Sequence, residues 1–101
     1  MFFHYYFITN EERSKGMRKY IGGTKIQGFT LDYFILDTNR YYGIEIQLTD
    51  DKSVESASAF CITRNRDEIH KLVNRYLKLA VFPVSLADLV EDYLVDRPCI
   101  A

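Results

Sequence analysis

The sequence is short of cysteine and proline, has no long apolar run and carries no surplus of positive charge, and each shortage closes a class of protein. Its two cysteines, Cys61 and Cys99, stand far apart. Such spacing builds neither a disulfide framework nor a zinc site, and free thiols fit a reducing cytoplasm, the expected address. No stretch approaches the roughly 18 apolar residues of a membrane span, so no membrane partner is expected. The aromatic start of the chain lacks the basic region and small-residue cleavage site of a signal peptide. With a net charge of −1 there is no positive field of the kind that holds nucleic acid nonspecifically. No G-x-S-x-G, phosphate-cradling glycine loop or Cys-His signature occurs, so the chain reads as a non-enzyme with no cofactor and no catalytic residue. With two prolines and no low-complexity tract, what remains is a soluble globular domain, residues 1–101 forming a single unit.

Aromatics are what the chain has in excess. Eleven of its fifteen Phe and Tyr residues fall within the first 42 positions, which concentrates stacking or packing surface at that end. The run Phe2, Phe3, His4, Tyr5, Tyr6, Phe7 has strand propensity, and alternation sends Phe3, Tyr5 and Phe7 one way and Phe2, His4 and Tyr6 the other. A base-stacking platform needs Lys or Arg interleaved to hold phosphates, and this run has none. Burial, or an interface with a protein partner or a second copy, accounts for it better.

The next segments read as strands. MRKYI (17–21) reads as a short strand ended by Gly22-Gly23, and TKIQGFTLDYFILD (24–37) as a long one with a bulge or bend at Gly28. YYGIEIQLT (41–49) has the clearest period of two, with Tyr42, Ile44, Ile46 and Leu48 on one face. Asp50-Asp51-Lys52 turns the chain back into VESASAFCI (54–62).

Beyond residue 64 the period changes to that of a helix. Asn65 with Glu68 three residues on forms a capping box, and Ile69, Leu72, Val73, Tyr76, Leu77 and Ala80 recur at helical spacing, predicting a helix over about 66–80. Pro83 ends it. Ser85 with Asp88 suggests a second start, and Leu86, Leu89, Val90, Tyr93 and Leu94 predict a helix over about 86–95. Strands within 2–62 followed by two helices give an α+β fold: an antiparallel sheet of four or five strands with a C-terminal pair of amphipathic helices on one face.

The strand YYGIEI, the capped helix around Ile69–Tyr76 and the ending VSLADLVEDYL resemble a family of short uncharacterised proteins of Gram-positive anaerobic bacteria. The resemblance covers most of residues 30–95. It implies a fold pattern and a bacterial cytoplasmic setting, and no site.

Two features carry candidate chemistry. Asp67 and His70 share a helical face but supply two metal ligands at most, short of the three or four a site needs. Lys71, Arg75 and Lys78 line one face of the first helix at i, i+4 and i+7, while Asp88, Glu91 and Asp92 mark the polar side of the second. An acidic second helix disfavours helix-turn-helix recognition of DNA. The plain reading is two solvated faces; the functional one is a docking stripe for an acidic partner. The sequence therefore points to a protein-interaction or homodimerising module, the alternative being a weak single-stranded nucleic-acid binder using sheet aromatics and the basic stripe.

Overall fold

A computed structural model describes residues 17–96, and the fold is α+β, as the change of period predicts. Four strands, β1 (Met17–Ile26), β2 (Phe29–Asp37), β3 (Tyr42–Thr49) and β4 (Val54–Thr63), form one antiparallel meander in the order β1-β2-β3-β4. Two helices follow, α1 (Arg66–Lys78) and α2 (Pro83–Asp96), and both pack on the same face of the sheet. The segment 2–7 lies outside the described residues.

Each hairpin has a local chemical cause. Gln27 and Gly28 both take positive φ, 46° and 90°, the two-residue geometry whose twist matches that of paired strands. Gly28 is therefore a turn residue and not the bulge expected within one long strand. The bulge lies in β1 instead, between Tyr20 and Gly22, so the glycine pair lets the strand run on to Ile26 where a stop is predicted. At the second turn the Asp37 carboxylate accepts from the Asn39 N–H at 2.9 Å, and Asn39 takes φ 76°. At the third, the Asp50 carboxylate accepts from the N–H groups of Lys52 and Ser53, both at 2.8 Å. Those backbone donors hold its pKa below the ordinary aspartate value.

Alternation sorts the strands as predicted. Leu31, Tyr33 and Ile35 from β2 and Ile44 and Ile46 from β3 are buried beneath the helices. Small Ala57 and Ala59 on β4 leave room for α2, which lies chiefly over β4. Register shifts where Gly43 faces the end of β4: Cys61 takes φ 60°, and a Cβ at Gly43 would stand 2.3 Å from the Ala59 carbonyl oxygen. Glycine is the residue that fits there.

Both helix starts are explicable. The Asn65 carboxamide oxygen accepts from the Glu68 N–H at 2.9 Å, the predicted cap. α2, however, begins at Pro83 and not beyond Ser85. Proline suits the first helical position because the N–H it lacks would have no helical partner. Ser85 is thus inside the first turn, and Asp88 lies beyond it. No helix among the described residues is long and apolar enough to cross a membrane.

Candidate functional site

α1 presents its apolar residues Ile69, Leu72, Val73 and Tyr76 to the sheet, which fixes its rotation about its own axis. At 100° per residue the opposite side then carries Lys71, Arg75 and Lys78, and all three are exposed. They form no hydrogen bond or ion pair with any described residue. Arg75 and Lys78 suit the negative end of the helix dipole, a structural reason for their place. Lys71, in mid-helix, has no such reason.

Contrast the arginine of β1. The Arg18 Nε donates to Glu45 Oε1 at 2.8 Å, and its Nη2 donates to Glu45 Oε2 at 3.4 Å and Gln47 Oε1 at 3.3 Å. Its guanidinium also lies 3.7 Å over the Phe34 ring, whose edge Tyr20 meets at a centroid distance of 5.5 Å. Glu45 is 2% exposed, so this carboxylate is held on the sheet face turned away from the helices. Leu36 and Phe60 are buried on that face too, outside the main core cluster. Arg64 likewise sits over Tyr41, at 5.2 Å. Arg18 and Arg64 are thus engaged, whereas the α1 row faces water.

A groove of about 670 Å³ opens between the helices. Lys71, Arg75 and Leu79 form its α1 wall, Leu89 and Asp92 its α2 wall, with Leu72 and Tyr76 between them. One end is bridged by the Tyr93 hydroxyl, which donates to the Glu68 carboxylate. The other opens to an apolar hollow of about 520 Å³ beside Leu79, Phe82 and Val84. Leu79 and Val84 are 66% and 80% exposed, unusual for aliphatic side chains in so small a domain.

The link between the helices is anchored, so the groove has a defined width. α1 ends in a Schellman motif: the Val81 N–H donates to the Tyr76 carbonyl and the Ala80 N–H to the Leu77 carbonyl, both at 3.1 Å. Ala80 takes φ 53° in the position usually given to glycine. The helix therefore stops at Lys78 and not at Ala80 as predicted, because this left-handed residue turns the chain. From the middle of the sheet the fully buried Tyr33 hydroxyl donates to the Val81 carbonyl at 2.8 Å. Burial pushes the Tyr33 phenol up to about 12.

Of the residues singled out by sequence, Lys71 and Arg75 come together on the groove wall, and Lys78 continues their row one turn on. Asp67 and His70 gather no third ligand; among the described residues no cluster of three His, Cys, Asp or Glu side chains is placed to hold a metal ion. The candidate interface Phe2, Phe3, His4, Tyr5, Tyr6 and Phe7 lies outside the described residues. Sequence reading passed over Leu79, Val84 and Val95. For Val84 and Val95 the signal was present, since both fall off the apolar stripe of α2; Leu79 lies seven residues beyond Leu72 and is exposed only because the helix ends there.

No curated protein and no solved structure matches the chain. The pattern of a family of unknown function, DUF6514, matches residues 1–96, which takes in the N-terminal aromatic run that the resemblance over 30–95 leaves aside. The chain belongs to the family of unknown function DUF6514.

Proposed function

We propose that this chain is a non-enzymatic protein-interaction module whose working surface is the helical layer, and that it takes an amphipathic segment bearing carboxylates. The observation that carries this reading is the row of Lys71, Arg75 and Lys78, exposed and without described partners, beside a groove with an apolar floor. Successive cations about one helical turn apart match carboxylates at the same spacing on a helical ligand. Each exposed pair adds only about 0–1 kcal/mol, so the cations select and orient while exposed Leu79 and half-buried Leu89 supply most of the attraction.

Single-stranded nucleic acid fits the same surface less well. The groove's aromatic rings are buried Tyr76 and half-buried Tyr93, whose hydroxyl is given to Glu68. Among the described residues no ring stands fully exposed beside the cations for a base to stack on.

Fluorescence anisotropy of a labelled helical peptide, with glutamates at i, i+4 and i+7 beside a leucine stripe, tests the reading. Saturable binding is expected, weakened roughly tenfold or more in the triple variant Lys71→Ala, Arg75→Ala, Lys78→Ala. Equal binding by wild type and a triple variant of unchanged circular dichroism would overturn it, as would displacement of the peptide by an oligonucleotide.

A further inference from the structure

We infer that the acidic segment taken by the helical layer is α2 of a second copy of this chain, so that two copies associate about a two-fold axis. The inference rests on the reading just given and names its ligand. α2 buries Leu86 and Val90 against the sheet, which fixes what its other side shows. At 100° per residue Val84, Asp88, Glu91, Asp92 and Val95 fall within an arc of about 100°. The two valines, 80% and 75% exposed, lie near the middle of that arc, and carboxylates flank them on both sides. An apolar centre rimmed by carboxylates is the chemistry that Lys71, Arg75, Lys78 and exposed Leu79 call for.

The α2 face is long enough to cover the row: Lys71 to Lys78 spans seven residues, a rise of about 10.5 Å, and Val84 to Val95 spans eleven, about 16.5 Å. Within one chain the two rows do not meet in full: Asp92 alone shares the groove with Lys71 and Arg75, while Asp88, Glu91 and the two valines do not line it, because each helix is held in rotation by its own buried face. Between two copies they can, and a two-fold arrangement makes each contact twice: α1 of each copy on α2 of the other. A foreign acidic helix would satisfy α1 alone and leave the valines of α2 in water.

Sedimentation of the full chain over a concentration series, at low and high salt, tests this. A dimer is expected that weakens as salt screens charges across about 10 Å. Reversing the α1 row (Lys71→Glu, Arg75→Glu, Lys78→Glu) or the α2 face (Asp88→Lys, Glu91→Lys, Asp92→Lys) should each weaken it roughly 100-fold, because like charges then face one another. Mixing the two variants should restore a dimer of one copy of each. Should either triple variant fail to fold, Val95→Lys alone should weaken the dimer with the circular dichroism unchanged. A wild type that stays monomeric throughout overturns the inference, and peptide binding by that monomer would leave the earlier reading standing. A dimer indifferent to both reversals, or to Val95→Lys, overturns it as well.

Discussion

Replacing Tyr33 with Phe removes one oxygen and tests how the helical layer is tied to the sheet. That oxygen donates to the Val81 carbonyl at 2.8 Å, in a position with no exposure. At neutral pH the loss costs about 1–2 kcal/mol, because Val81, itself buried, gives up a partner that water cannot readily replace. With a urea dependence of about 1–3 kcal/mol per molar for small domains, the midpoint falls by roughly 0.3–2 M.

Alkaline pH reverses the order of the two proteins. The Tyr33 phenol is pushed from 10.0 to about 12 by burial, and Tyr76 is pushed to about 12 chiefly by the same cause, with Arg75 pulling it partly back. A phenol with a raised folded-state pKa favours folding fully below the unfolded value of 10 and loses that advantage as pH rises through 12. For one such tyrosine the loss is about 1.4 kcal/mol by pH 11 and about 2.3 kcal/mol by pH 12. Wild type carries two of these losses and the variant one. Wild type is therefore more stable at neutral pH, and the two stability curves cross between about pH 10.5 and 11.5. Urea melts at intervals of half a pH unit would show this. Parallel curves with no crossing would refute the argument, since Tyr33 would then ionise as readily folded as unfolded.

Three further substitutions test local geometry through thermal melts. Gly43→Ala sets a Cβ 2.3 Å from the Ala59 carbonyl oxygen, and because the obstacle is backbone it should cost at least about 3 kcal/mol. Ala80→Gly relieves a left-handed residue at φ 53° and should stabilise by up to about 1 kcal/mol, raising Tm by roughly 4–8 °C; a lower Tm would mean the Ala80 methyl packs for more than the strain costs. Asn65→Ala removes the acceptor for the Glu68 N–H and should cost about 1 kcal/mol, with Asn65→Asp retaining most of it.

Elements were legible in the sequence wherever one local rule decided them. Period-two alternation located β3, and the Asn65 cap with its apolar repeat located α1 to within two residues. What escaped depends on contacts distant in sequence or on two rules in conflict. The run 24–37 reads as one strand because Gln27 is no usual turn residue; that Ile26 pairs with Phe29 shows only once the strands meet. Ser85 with Asp88 is a fair helix start, but Pro83 two residues earlier is a better one, and the earlier start wins. Arg18 and Glu45 lie 27 residues apart, and nothing local announces their pairing. The basic row was legible because helical spacing alone displays it. Its freedom from partners, and the valines opposite it in chemistry on α2, required knowing which faces the core consumes.

That last point bears on how the fold makes its surface. Ile69, Leu72, Val73 and Tyr76 set the rotation of α1, and Leu86 and Val90 that of α2, so core packing alone decides which charges face outward. Spacing between the helices is set separately, by the left-handed Ala80 and the pull of Tyr33 on Val81. A substitution on the outward faces therefore changes recognition with little effect on folding, since no described contact depends on Lys71, Arg75 or Lys78. A substitution at Tyr33 acts the other way: it loosens the link and shifts one wall of the groove against the other. Binding should consequently weaken in Tyr33→Phe although every groove residue is intact, and it should weaken in Lys71→Ala, clear of the helix end that Arg75 and Lys78 stabilise, although the melting temperature is not lowered. Those opposite signatures would separate the proposed binding surface from the core that aims it.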